Sequence, residues 1–341
     1  MISNIEYFIE KNTDQFNDDK LSFHINNNKN KIKVSFVNGI RRVIEEHMSS
    51  FILSDVSIIQ NNTVFNNDIL IQRLTMMPII YNKAINYNLD KLLIKIDILN
   101  KEDFPITIKA KDIKFLYNDK EIENIISYPE IIFVQNILPG QTIQLVCNLH
   151  KGESKTHASY KHTSKNIYYL KLDDTLINTK MQEQNITDDK EKIDFKLSNQ
   201  IYKKTDKGLP ETYIYEIESN GIMPVKETLK IGLEYLIVKL TDIIELVKTD
   251  ILEPSKDNPL ISILTFNNET HTIGNLLSQY ASEHKLLEGC TYFIPHPLDN
   301  VLLVKLHFSE QKNNTTDNCI LIIKETCDEL VKLYEEFLGH F

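Results

Sequence analysis

A chain of 341 residues with 42% hydrophobic side chains holds material for two or three packed cores and is too apolar to be mainly disordered. Its net charge of −10 excludes a global basic surface that wraps nucleic acid, although a local patch stays open. Nine glycines, with neither G-x-x-x-x-G-K-[ST] nor G-x-G-x-x-G, argue against a fold built on phosphate-cradling loops.

The start carries no basic stretch followed by an apolar run, so it does not read as a secretory signal. No stretch approaches eighteen apolar residues, so no membrane span is expected. Cys147, Cys290, Cys319 and Cys327 include no C-x2-C, which writes neither a zinc ribbon nor a disulfide framework. The expectation is an intracellular, reduced protein.

Leu21, Phe23 and Ile25 alternate as a strand, and the run Asn26–Lys31 reads as a turn into a second strand through Ile32 and Val34. Val37, Ile40, Ile44 and Met48 then recur at helical spacing, with Arg41/Glu45 and Arg42/Glu46 as i, i+4 pairs. From about 53 to 207 short alternating runs predict a β-rich region: Val56/Ile58, Leu92–Ile94, Ile106/Ile108, Ile131–Phe133 and Ile143/Leu145. Thr179–Lys192 is polar and predicts a loop.

Tyr213, Tyr215 and Ile217 alternate as a strand ending at Asn220-Gly221, and Pro224 opens a long helix at a position where proline is tolerated. Its apolar positions are Leu229, Leu233, Leu236, Leu240, Ile243 and Val247, spaced 4, 3, 4, 3, 4, a seam for another helix. After a joint at Glu253–Pro259 the last section repeats the plan of the first. Leu260–Phe266 is a strand, a helix begins near Thr272 with that hydroxyl as its cap, and Tyr292–Ile294 and Val301–Phe308 are strands. The final helix carries Cys319, Ile323, Thr326, Leu330, Leu333 and Phe337 at the same 4, 3, 4, 3, 4 spacing. Asn38 aligns with Asn275, so the chain reads as two related halves whose seam helices pack on each other.

These residues resemble the platform subunits of multisubunit DNA-directed RNA polymerases. His271-Thr272-Ile273-Gly274-Asn275-Leu276-Leu277 is similar to the H-T-[LI]-G-N-x-[LI] signature of the eleventh-largest eukaryotic subunit and archaeal subunit L, and Tyr292–Lys305, with Pro295-His296-Pro297, to the strand pair that follows it. Asn38–Ile44 resembles the N-[AS]-[LI]-R-R-[VI] helix of the third-largest subunit, archaeal D and bacterial alpha. Ile71–Leu74 with Pro78-Ile79, Gly152–Ala158 as G-x-x-K-x-H-A, and Glu218–Gly221 as E-[ST]-N-G are similar to further motifs of that family. Both kinds of subunit in one chain resemble the fused arrangement of some large DNA viruses.

The resemblance implies an α+β fold: two dimerisation modules like the alpha N-terminal domain, packed through long C-terminal helices, with a β-rich insertion in the first. The expected divisions are 18–52 plus 208–250 for the first module, 53–207 for the insertion, 251–259 for a linker and 256–341 for the second module. It implies a non-catalytic platform that mounts the largest and second-largest polymerase subunits, with a small subunit like the archaeal N/P pair as a further partner. Asn38, Arg41, Arg42, Arg73, Lys155 and His157 are the implied subunit interface, because a guanidinium fork grips carboxylates and carbonyls bidentately. His271, Gly274, Asn275 and Leu276 join the two seams as intramolecular pairing residues; Gly274 is read as permitting close packing and Asn275 as bonding the adjoining strand.

The family's cysteine-bound zinc or iron–sulfur cluster has no counterpart in Tyr81–Ile106, so no metal or other cofactor is expected and that loop is held by packing. Lys151, Lys155, Lys161 and Lys165 with His150, His157 and His162 form the one basic concentration. A free-standing nucleic-acid-binding or regulatory protein is the competing reading, but only Tyr160, Tyr168 and Tyr169 lie near to stack on bases. No catalytic residues are assigned. Expected locations are virion and host cytoplasm for a viral chain, otherwise nucleus or cytoplasm.

Overall fold

The computed structural model describes residues 7–8, 19–27, 29–199, 201–247, 252–254, 258–296 and 298–341. Asn28 and Pro297, most of the first eighteen residues, and 248–251 and 255–257 in and beside the expected linker lie outside the described residues.

The first half opens with β1 (Tyr7–Phe8), β2 (Lys20–Asn26) and helix α1 (Val34–Glu46). In β2 the side chains alternate, burying Leu21, Phe23 and Ile25. The expected second strand does not form. Ile32 is buried in the turn, Lys33 is the N-cap residue of α1, and Val34 already begins the helix.

A second body follows: β3 (Ser49–Asn61), α2 (Asn67–Thr75), α3 (Tyr81–Ala84), β4 (Leu92–Leu99), β5 (Ile106–Lys109), β6 (Lys114–Tyr117), β7 (Lys120–Ile122), β8 (Ile132–Ile137) and β9 (Thr142–Glu153). Its sheets run β3-β9-β4-β6-β7 and β5-β8, around a core of its own that includes Leu53, Ile94, Phe115, Phe133 and Leu145.

The chain then returns through β10 (Thr163–Leu170), helices α4 (Asp174–Glu183) and α5 (Asp189–Asn199), β11 (Thr212–Ser219) and the long α6 (Val225–Leu246). Two expectations are corrected here. β10 pairs with β11 in the sheet β1-β2-β11-β10, so Thr163–Leu170 belongs with the first half and not with the insertion, while β3 joins the insertion sheet from Ser49 rather than 53. Thr179–Lys192 is a loop only at 184–188: its ends belong to α4 and α5, and the Asp173 side chain caps α4 by accepting from the Leu176 N–H at 3.0 Å.

The second half is β12 (Leu252–Pro254), β13 (Ile261–Asn267), α7 (His271–Ala281), β14 (Leu287–Phe293), β15 (Val301–Phe308) and α8 (Thr316–Leu338), with sheet order β12-β13-β15-β14. Leu252–Pro254, expected in the linker, pairs instead with Ser262–Leu264. Thr272 does not cap α7. Thr270 holds the N-cap position, and the Thr272 hydroxyl is buried with no hydrogen-bond partner among the described residues.

Candidate assembly interface

Helix α6 packs along α8, α1 packs on α6 and α7, and α7 packs on α8. Every apolar position of the two 4, 3, 4, 3, 4 runs is buried. On the first helix these are Leu229, Leu233, Leu236, Leu240 and Ile243, with Val247 at its C-cap; on the second they are Cys319, Ile323, Thr326, Leu330, Leu333 and Phe337. They share one continuous core with the inner faces of both four-stranded sheets. Each fully buried aliphatic side chain adds roughly 1.5–3 kcal/mol before chain entropy is subtracted.

Small residues set the close approaches. A Cβ on Gly274 would stand 2.4 Å from Tyr292 Cδ2 and 2.7 Å from Leu302 Cδ1, so α7 lies against its own strand pair only because residue 274 has no side chain. Leu276 is fully buried, His271 is exposed with its ring 5.8 Å from that of Tyr292, and the half-buried Asn275 accepts from the Ser278 hydroxyl through its carbonyl at 3.2 Å.

Polar contacts that periodicity did not reveal tie the halves together. Lys33 is 6% exposed; its ammonium lies 2.7 Å from Glu283, 2.5 Å from the Gln279 carbonyl and 4.8 Å from the centre of the Tyr280 ring. That position is the C-terminal turn of α7, where the helix dipole and unsatisfied carbonyls favour a cation. The Tyr280 hydroxyl donates to the Lys31 carbonyl at 2.8 Å, and burial pushes its pKa up. Lys239 on α6 meets Glu269, ahead of α7, at 3.1 Å.

The outer surface is built around the end of α1. Arg41 Nε donates to Asn38 Oδ1 at 3.1 Å, and Arg42 closes on Glu46 at 2.5 Å. The expected Arg41–Glu45 pair is not formed, because Glu45 is taken by Lys161 and by the Thr163 hydroxyl where β10 approaches. The turn after β9 carries Lys155 and His157, both exposed. Its Lys155 N–H donates to the Glu46 carbonyl at 2.9 Å, while the Ser159 hydroxyl donates to Met76 Sδ at 3.1 Å. That turn therefore bridges the end of α1 to the end of α2. Arg73 is exposed on α2, and Met76, 57% exposed, stands between two shallow clefts, one lined by Ile71 and His157 and the other by Arg73 and Ile132. Arg41, Arg42 and Arg73 are all the arginines the chain has, among 38 basic residues. The other 35 are lysines.

The basic concentration is largely neutralised. Lys161 pairs with Glu45, Lys165 with Glu216, and His150 lies 3.0 Å from Asp55. His162 is wholly buried. Its Nε2 donates to the Ser49 carbonyl at 3.0 Å, Nδ1 has no partner among the described residues, and burial pushes the pKa down to about 4.

The Tyr81–Ile106 stretch is shaped by packing and main-chain bonds. Ala84, Leu92, Ile94 and Ile96 are buried, the Tyr87 and Tyr117 rings lie 5.2 Å apart, and the Tyr81 N–H donates to the Ile222 carbonyl at 2.9 Å. Gly221, at φ +91°, permits this docking, since a Cβ there would lie 2.5 Å from Ser127 Oγ. Among the described residues no cluster of three or more His, Cys, Asp or Glu is placed to hold a metal ion. No helix there is long and apolar enough to cross a membrane.

Residues 262–340 match the family described as RNA polymerase Rpb3/Rpb11 dimerisation domain. The chain is similar to DNA-directed RNA polymerase subunit Rpo3 of Methanocaldococcus jannaschii, 27% identical over 136 residues, which covers 38% of this chain and 62% of that protein, less than two thirds of its length. To subunit Rpo3 of Pyrococcus furiosus it is 24% identical over 243 residues, 61% of this chain and 87% of the relative. To the subunit RPAC2 of RNA polymerases I and III of Drosophila melanogaster it is 32% identical over 83 residues, 22% of this chain and 73% of the relative. Two cores, a paired helical seam and these likenesses agree, and the chain belongs to the RNA polymerase Rpb3/Rpb11 dimerisation family.

Proposed function

We propose that the chain is a non-catalytic assembly platform of a multisubunit DNA-directed RNA polymerase, a fused counterpart of a subunit pair. The observation that carries the reading is the α6–α8 packing, which joins the two halves in one core, with Arg41 and Arg42 half-buried at the end of α1 and Arg73 exposed on α2. Covalent joining raises the effective concentration of each half for the other, so pairing is not diluted away. The first module is then 19–48 with 163–170 and 212–247, the insertion 49–162, and the second module 258–341 with strand β12.

The interface for the largest and second-largest subunits is Asn38, Arg41, Arg42, Arg73, Lys155 and His157. Confinement of the chain's arginines to three of these positions supports it, since lysine cannot reproduce a bidentate fork. A small subunit like the archaeal N/P pair is a further partner. The Asn- and Lys-heavy composition supports a large DNA virus as source, with the protein in virion and host cytoplasm. The ion pairs that occupy Lys161 and Lys165 disfavour a free-standing nucleic-acid-binding role.

The test is an Arg41→Glu/Arg42→Glu double variant in its native assembly. It should fold with an unchanged circular dichroism spectrum and fail to co-purify with the large subunits. Normal co-purification removes α1 from the interface.

A further inference from the structure

Two ion pairs join the unlike halves, and their counterparts under the internal repeat are not ion pairs. The N-cap residues Lys33 and Thr270 of α1 and α7 stand 237 positions apart. The buried seam positions stand 90 apart, from Leu229 and Cys319 to Val247 and Phe337. These offsets translate a contact between unlike halves into the one that would form if two like halves met.

Lys239 meets Glu269. In a pair of second halves the residue facing Glu269 would be Glu329, 90 positions after Lys239, so two carboxylates would oppose each other. In a pair of first halves Lys239 would face Ile32, the counterpart of Glu269, and a partly buried ammonium would have no acceptor.

Lys33 repeats the pattern. Its receptor is Gln279, Tyr280 and Glu283, whose counterparts in the first half are Arg42, Val43 and Glu46. Arg42 already closes on Glu46, and valine offers neither a ring nor a hydroxyl. In a pair of second halves Thr270 would replace Lys33 and bring no cation to the helix terminus. Because a like pair is symmetric, each mismatch would occur twice.

We infer that Lys239 with Glu269, supported by Lys33 at the end of α7, determines pairing specificity, favouring union of unlike halves and opposing association of like halves from separate copies. The chain thereby closes on itself instead of cross-linking through exchanged halves. This inference rests on the paired-half reading above.

The test uses the purified full chain. Lys239→Glu and Glu269→Lys should each lower the melting temperature by about 5 °C, and the double reversal should recover most of that loss. Lys239→Glu with Glu329→Lys opposes pairing within a chain and favours it between copies, so it should turn a monomer into a dimer by light scattering. A double reversal that melts as low as the single variants overturns the inference, whatever the second pair of changes does to folding. So does a Lys239→Glu/Glu329→Lys chain that stays monomeric with wild-type melting. A chain that captures the large subunits normally yet shows no 239–269 coupling loses this inference alone; one that shows the coupling but captures neither subunit loses the platform reading alone.

Discussion

Tyr334 stacks on Phe36 with ring centres 4.3 Å apart and planes at 11°, and its hydroxyl donates to the carbonyl of the same residue at 3.2 Å. One side chain of α8 thus satisfies both a ring and a main-chain acceptor on α1, in the other half. Gly39 makes room for it, since a Cβ there would lie 3.0 Å from the Tyr334 hydroxyl.

The two functions of Tyr334 are separable. Tyr334→Phe keeps the stack and loses one buried hydrogen bond, an expected cost of about 1 kcal/mol, while the Phe36 carbonyl keeps its bond within helix α1. Tyr334→Ala also opens a cavity and should cost about 3–5 kcal/mol. Denaturant titration measures both; equal costs would show that the ring contributes nothing beyond the hydroxyl.

Much of this interface was legible because a 4, 3, 4, 3, 4 run fixes one face of a helix whatever lies opposite. Leu229 to Val247 and Cys319 to Phe337 needed no tertiary information to be read as seams. The polar contacts were hidden for the opposite reason. Nothing near Lys33 in sequence hints at a carbonyl 246 positions away, and a lysine before a helix reads as solvated. β10 fell within the expected 53–207 insertion because no local pattern tells a strand which sheet it joins. α5 was missed because none of its residues is buried, so no apolar stripe marks it.

Gly274 offers a test of close packing against helix propensity. Alanine in a helix interior is favoured over glycine by roughly 1 kcal/mol, so Gly274→Ala would stabilise an unconstrained helix. Here the new methyl group meets the Tyr292 ring and Leu302, and overpacking of this kind costs about 1–3 kcal/mol. A net fall in melting temperature is expected. A rise would mean that Tyr292 moves aside freely.

His162 gives the fold an acid limit. Burial holds its pKa at about 4 against an ordinary 6.5, so between those values the unfolded chain binds the extra proton and the folded chain does not. Stability therefore falls as pH drops from about 6.5 to 4, by about 3 kcal/mol in total. Tyr81 lies beside the ring, and Lys151, over Tyr81, adds no compensating negative charge. His162→Gln should flatten this part of the pH–stability curve even if it lowers the whole curve, and a slope that survives would assign the acid limit elsewhere.

Leu236, fully buried at the middle of the α6 seam, supports a test with the opposite pH dependence. Leu236→Asp places a carboxyl among aliphatic side chains and should cost about 3–5 kcal/mol at neutral pH. Burial raises the folded-state pKa of the new acid above its unfolded value of about 3.9, so the unfolded chain ionises first. The ionisation penalty is absent below that value and grows as pH rises to the folded-state pKa. Relative to Leu236→Asn, the aspartate variant should match near pH 4 and fall increasingly behind by pH 7, as read from parallel denaturant curves. Equal stability at pH 7 would mean that water reaches the middle of the seam, and the two long helices would then not be a dry mount.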